Sequence, residues 1–288
     1  MSATRLAALY CYPLKSARGI ALSSAVVEAR GLRDDRRWML VDAGGRFITQ
    51  RRQPRMALIE TAFEASDRAG QLLLAAPDCG QVAVPRGGGE AQRVEVWGDW
   101  VDAEGCGAAA DAWLAGFLGI DCRVVYLPEH SRRAVHPDAA VYRDDIVGFA
   151  DYAPMLLLGS ASLDELNGQM DAPLPMDRFR PNLVVEGSAA YAEDGWARIR
   201  VGDCGLHLVE HAERCALTTV DQASGARAGR EPLATLSRLR NREGSMLFGQ
   251  YAVLARLGEG DGDAVGELRV GDALEVLERQ PPPVFTPR

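Results

Sequence analysis

The sequence predicts a mainly β, α+β protein with a few helices, large enough for one big or two ordinary domains. Three observations carry this. Apolar runs are of strand length and are punctuated throughout by Gly, Pro and Asp. Helical spacing of apolar residues is confined to a few windows, the clearest over 108–118. The chain has 288 residues, 47% apolar and 25% charged, the balance of a soluble globular protein with sizeable cores.

In order, residues 6–12 are a first strand that ends at Pro13. The stretch is too short, and lacks the small-residue cleavage site, for a signal peptide. The turn 13–19 leads to alternation over 20–28. After Gly31 and a charged cluster at 34–37, residues 38–41 form a strand whose hairpin partner, 46–50, lies across the turn Asp42-Ala-Gly-Gly45. Residues 72–75, 81–84 and 94–101 continue the short strands, so 1–105 reads as a barrel or sandwich. The Gly tip at 87–89 has no phosphate-loop context.

Trp113, Leu114 and Phe117 share one face of the 108–118 helix, which Gly119 ends, and 122–127 is strand again. The polar stretch 128–145, with Arg132, Arg133 and His136, is a long loop of the kind that serves as a lid. Residues 151–159 turn into a buried strand, and Ser162-Leu-Asp-Glu165 reads as a capping box opening a helix that stops near Gly168. Residues 176–185 pass through alternating Arg178 and Arg180, then Pro181, into the next strand. A helix over 231–240 with Pro232 in its first turn, a strand over 247–255, and a closing hairpin of 266–272 with 273–277 complete the order. The Pro-rich tail 281–288 is expected to be disordered.

A net charge of −8 argues against nucleic acid or a membrane surface as the main partner, and no apolar run approaches the ~20 residues of a membrane span. Six Cys, at 11, 79, 106, 122, 204 and 215, are scattered without any C-x-x-C, which suits a reducing, cytoplasmic setting. They also offer no set at iron–sulfur spacing, so electrons for any redox chemistry would come from a separate partner. Of 32 Lys plus Arg, only Lys15 is lysine. A position that keeps an ammonium in an Arg-rich background either needs that compact cation or has kept it by chance.

The stretch Glu213-Arg-Cys-Ala-Leu-Thr-Thr-Val-Asp221 is where chemistry concentrates. Cys215 follows an alternating segment and so stands where a strand gives way to a loop. Beside Arg214 a thiolate would be favoured and could bind a soft metal; a small buried hydrophobe is the plainer alternative. Cys204, His207, His211 and Cys215 have zinc-type identities, but strand geometry spreads same-face positions four apart by ~13 Å, too far for one tetrahedral ion without bending. A Ser nucleophile elbow is absent, and Gly258-x-Gly-x-Gly262 lies between late strands, not between strand and helix. What remains is a set of anion-holding groups at strand ends: Lys15-Ser16, Arg36, Arg180-Pro-Asn182 and Arg214-Cys215.

Seven stretches in order (Tyr12-Pro-Leu-Lys-Ser16, Gly31-Leu-Arg-Asp-Asp-Arg-Arg-Trp38, Phe179-Arg-Pro-Asn182, Arg214-Cys-Ala-Leu-Thr-Thr-Val-Asp221, Glu231-Pro-Leu233, Leu247-Phe-Gly-Gln-Tyr251 and Val270-Gly-Asp272) together resemble the MOSC-domain proteins with an N-terminal β-barrel. That group holds the YcbX-like proteins and the mitochondrial amidoxime-reducing components. The resemblance implies an N-terminal β-barrel domain over 1–120 and a MOSC β-barrel domain over 121–280. It also implies a molybdenum cofactor, Mo-molybdopterin, with Cys215 as metal ligand and catalytic residue. Cofactor-holding positions fall on Lys15, Ser16, Arg36, Arg180, Asn182, Arg214 and Tyr251, and on Asp151, Tyr152 and Ala153, although Tyr152-Ala153 and Glu213 depart from the family pattern. The implied activity is two-electron reduction of N-hydroxylated compounds, fed by a ferredoxin- or flavin-reductase-type protein. A cofactor carrier or sulfur-transfer module with a persulfide on Cys215, and a zinc-stabilised binding protein, are the alternatives.

Overall fold

The computed structural model describes residues 3–64, 70–255 and 266–286; the Gly258–262 stretch lies outside them. The chain is mostly β, with three α-helices among the described residues. A large sheet runs in the order Ile20–Leu22, Arg5–Cys11, Leu183–Glu186, Met155–Gly159, Ser245–Leu254, Cys204–Glu213, Trp196–Val201, Leu274–Arg279, with Asn241–Arg242 paired onto Ser245–Leu254. Met155–Gly159 and Leu183–Glu186 run parallel; the other pairings are antiparallel. Parallel neighbours need a crossover, and the helix Ser160–Asn167 lies within it. Leu6, Leu9, Leu157, Leu183, Ile199 and Leu206 form the core of this sheet.

A second core lies between the four-stranded sheet Trp38–Val41, Arg123–Tyr126, Asp99–Gly105, Ala91–Val96, the three-stranded sheet Glu60–Phe63, Leu72–Ala76, Gly80–Val84, and the helix Ala108–Leu118. Leu114 and Phe117 pack there with Trp38, whose indole N–H donates to Pro85 O at 2.9 Å. Gly119 ends the helix with φ +69, as its sequence position predicted.

The two halves interleave. The first strand, Arg5–Cys11, pairs with Leu183–Glu186, and Ser24–Glu28 pairs with Gly266–Arg269. Conversely Arg123–Tyr126, beyond the boundary expected at 120, sits between Trp38–Val41 and Asp99–Gly105.

Four local expectations need correction. The run 94–101 is not one strand: Ala91–Val96 and Asp99–Gly105 form a hairpin that turns at Trp97 (φ +56) and Gly98 (φ +89). Ser162 does not cap a helix, which starts at Ser160; its hydroxyl donates to Glu193 Oε2 at 2.8 Å and accepts from Tyr191 N at 2.7 Å. Gly266–Arg269 and Leu274–Arg279 are not partners, because the first extends Ser24–Glu28 and the second Trp196–Val201. The described part of the tail, 281–286, is held: Thr286 N donates to Asn241 O at 2.9 Å, and Arg240 lies 4.5 Å from the Phe285 ring centroid. No helix among the described residues is long and apolar enough to cross a membrane.

Candidate active site

The structure forms an open cleft where four strands begin or end: after Arg5–Cys11 and Cys204–Glu213, and before Met155–Gly159 and Leu183–Glu186. Its open space, mouth included, is about 750 Å³. Three of its residues hold left-handed backbone: Ser16 at φ +68, Arg36 at +48 and Arg180 at +55. Each costs roughly 1 kcal/mol or more for a residue with a side chain, a cost that recurs where a site needs its groups aimed. Gly31 (φ +98) makes room for the opposite wall, since a Cβ there would come within 2.9 Å of Pro154 O.

Positive charge gathers in this cleft although the chain is acidic. Lys15 is buried; its Nζ donates to Phe149 O at 2.6 Å and pairs with Asp151. Burial pushes its pKa down to about 8, with Asp151 opposing, and Lys15 in turn holds the Asp151 carboxyl well below the usual range despite its own desolvation. Arg36 donates to Asp35 Oδ2 at 2.5 Å and Asn182 Oδ1 at 2.9 Å. Arg36 and Arg180 each lie 4.3 Å from the Tyr12 ring centroid, a stacking that fixes both guanidiniums. Arg180 donates through Nη1 to Ala17 O at 2.6 Å, and burial brings its pKa down to about 10, which leaves it charged at neutral pH. Arg214 donates to Phe179 O at 2.6 Å. Arg180 Nη2 and Arg214 Nε are buried without a hydrogen-bond partner. Among the described residues, the lining sets only Asp151 and Glu213 against Lys15, Arg36, Arg180 and Arg214, so the cleft favours an anion.

Cys215 follows the Cys204–Glu213 strand and opens the 3₁₀ turn Ala216–Thr219. Its carbonyl accepts from Thr218 N at 3.0 Å and Thr218 Oγ1 at 2.9 Å, which locks the backbone and leaves a half-buried thiol bordering the cleft. Arg178, close by, holds this turn by donating to Thr218 O at 3.3 Å and Asp221 Oδ2 at 2.7 Å.

Residues 3–121 match the MOSC N-terminal beta barrel domain, and residues 144–275 match the MOSC domain. The mitochondrial amidoxime-reducing component 1 of Mus musculus is 33% identical over 287 residues, covering 94% of this chain and 82% of that protein. Component 1 of Homo sapiens is also 33% identical, over 290 residues with the same coverage, and component 2 of Homo sapiens is 32% identical over 287 residues, covering 93% and 82%. The chain belongs to the family of MOSC-domain amidoxime-reducing components.

Of the positions carried over from this family, Lys15, Ser16, Arg36, Asp151, Ala153, Arg180, Asn182, Arg214, Cys215 and Tyr251 all border the one cleft. Tyr152 does not. Its ring instead backs Tyr251, stacked at 5.0 Å and 28°, and continues onto His136 at 4.5 Å and 21°. Asn182 is present but is not free to read a ligand: its amide donates to Tyr10 O and Asp35 Oδ1 at 3.1 and 3.0 Å, and its Oδ1 accepts from Arg36 and from Leu156 N at 2.9 and 3.2 Å. It fastens the wall.

Thr49, Phe179, Leu217 and Thr218 also line the cleft; the last three fall within stretches the sequence singled out, though not as site residues, and no local pattern marked Thr49, while Glu213 joins them at the exposed rim. The 128–145 loop contributes nothing to the lining. It is tied down by His136 N to Tyr152 O at 3.4 Å and by Arg133, which donates to Gly148 O, Ala150 O and Asp99 Oδ2 at 3.1, 2.6 and 2.9 Å. His207 lies 3.4 Å from the Tyr142 hydroxyl, and His211 Nε2 lies 3.0 Å from the Gln250 amide. Among the described residues no group of three or more His, Cys, Asp and Glu side chains could hold a metal ion.

Proposed function

We propose that this chain is a molybdenum-dependent reductase of N-hydroxylated compounds (hydroxylamines, amidoximes and N-hydroxylated bases) that works in the cytoplasm with electrons from a separate ferredoxin- or flavin-reductase-type protein. The observation that carries the proposal is the pairing, in one cleft, of an accessible thiol with buried guanidinium N–H groups that have no partner. The relatives' name supplies the substrate class.

A pterin dithiolene cofactor with a phosphate tail suits this donor set. The soft thiolate of Cys215 would ligate molybdenum, while Arg180 Nη2 and Arg214 Nε would donate to the anionic tail, regaining the hydrogen bonds they lack. Once bound, the cofactor supplies the two-electron chemistry that removes oxygen from an N–O bond; the overall change takes up two electrons and two protons and releases water.

The residues of the chain set the charge and the geometry. Lys15 is held in place, with Phe149 O and Asp151 fixing its ammonium, and carries its positive charge at pH values below about 8. Asp151 stays ionised, and Tyr251, pushed up to about 12 by burial, keeps its proton as a hydroxyl at the cleft wall. The decisive experiment is a reduction assay with a chemical electron donor across a panel of N-hydroxylated compounds. The metal-loaded protein should reduce them and Cys215→Ala should not; turnover retained in Cys215→Ala, or none in the loaded wild type, would overturn the proposal.

A further inference from the structure

Beside the cleft lies a second opening that shares Thr49 with it. This groove encloses about 1200 Å³ with its mouth included, and its walls carry Arg46, Phe47, Arg51, Arg52, Trp97 and Trp100. Trp97 and Trp100 are 47% and 49% exposed, an unusual placement for two indoles that the core does not use.

Trp97 has a second oddity. It occupies the first central position of the two-residue hairpin turn, at φ +56, with Gly98 at +89. Such turns select Asn, Asp or Gly at that position, and a bulky side chain held there is strained by roughly 1–3 kcal/mol. Folding alone would favour a small polar residue; a Trp keeps its indole over the groove, 5.0 Å from the Phe47 ring.

The groove is wired to the cleft through Asp151. The Arg51 guanidinium lies 4.3 Å from the Trp97 ring centroid, and its Nη2 is 3.9 Å from Asp151 Oδ2. That carboxylate is the one holding Lys15. Arg46 and Arg52 are exposed and have no ion-pair partner among the described residues. Among the described residues the groove's one carboxylate is Glu95, which accepts from Gly98 N at 2.7 Å. Indole faces take flat rings, and free guanidiniums take carboxylates or phosphates, bidentate where geometry allows.

We infer that this groove is the substrate-selecting arm of the cleft, and that it favours flat aromatic N-hydroxylated substrates carrying an anionic substituent. The ring rests on Trp97 and Trp100, and the anion meets Arg46 and Arg52. This rests on the reductase reading above and adds a substrate class to it.

The test uses three probes on the full chain: acetamidoxime, benzamidoxime and para-carboxybenzamidoxime. Each is measured for equilibrium binding by titration calorimetry and, in the cofactor-loaded protein, for reduction with a chemical donor. Affinity and kcat/KM should rise in that order, and added salt should weaken only the carboxylated probe. Trp100→Ala should weaken both aromatic probes about fivefold. Arg52→Gln should weaken the carboxylated probe about tenfold. Both effects should fall on KM and not kcat, and neither variant should change acetamidoxime turnover.

Equal binding of all three probes to the wild type, or an order that survives both variants, overturns the inference. So does a result in which the variants alter the KM for a protein electron donor while substrate constants stay fixed, which would make the groove a donor-docking surface. Graded binding without any turnover would sink the reductase reading and leave the groove standing; turnover without graded binding would do the reverse.

Discussion

Replacing Asn182 with Ala should destabilise the fold before it touches chemistry. Asn182 joins two strands with both its backbone and its side chain. Its N–H donates to Leu156 O at 2.8 Å while its Oδ1 accepts from Leu156 N, and its C=O accepts from Tyr10 N at 2.9 Å while its amide donates to Tyr10 O. The truncation removes four side-chain hydrogen bonds from a residue only 1% exposed. Asp35 and Arg36 keep each other, so those two losses cost about 1 kcal/mol each. Leu156 N and Tyr10 O lose the partner they have, at about 1–3 kcal/mol each, giving a total of about 4–8 kcal/mol. Urea denaturation followed by tryptophan fluorescence should show the midpoint falling with an unchanged slope. Asn182→Asp should also be unstable at neutral pH, with two carboxylates in contact, and recover partly on acidification when the new carboxyl can donate to Asp35. A loss below about 1 kcal/mol, together with weakened anion binding, would refute the fastener role and make Asn182 a ligand contact.

Three further outcomes follow from the same geometry. Gly31→Ala should cost about 2–3 kcal/mol in the same denaturation assay, because it combines φ +98 with a contact 2.9 Å from Pro154 O. Cys215→Ser should shift stability by less than about 1 kcal/mol, since the thiol is half-buried; a larger loss would make Cys215 structural. Lys15 gives opposite pH trends for stability and for anion binding. Burial lowers it from 10.5 to about 8, so across that window the unfolded chain holds a proton the native chain lacks, and this group's contribution to stability rises with pH. The positive charge it offers an anion is lost as pH climbs through about 8. Pyrophosphate affinity, measured by calorimetry, should therefore fall through that pH in the wild type and show no inflection in Lys15→Met.

The sequence made the local features legible where one residue type has one strong preference. Gly119 stops its helix, the Asp42–Gly45 turn reverses the chain with Gly45 N donating to Asp42 O at 3.0 Å, and Cys215 stands at a strand end. Failures came where a distant partner decides. Ser162 has a capping pattern, yet the buried Glu193 carboxyl takes its hydroxyl. The stretch around Gly266 reads as half of a hairpin, yet it pairs with the distant Ser24–Glu28. Trp97 hid a turn because its side chain opposes the backbone it adopts. The cleft followed the same rule. Its charged members were visible as Arg and Lys at strand ends, but the alternation that sends Tyr152 behind Tyr251, and the packing that brings Thr49 to the wall, are set by three-dimensional contacts alone.

The central claim is a bond between the Cys215 sulfur and molybdenum. Elemental analysis of wild-type protein and Cys215→Ala, both purified from a host that makes the pterin and both checked for folding, tests it most directly. The account predicts about one molybdenum per wild-type chain and essentially none in the folded variant. Metal-free wild type, or a variant that retains the full complement, would contradict it.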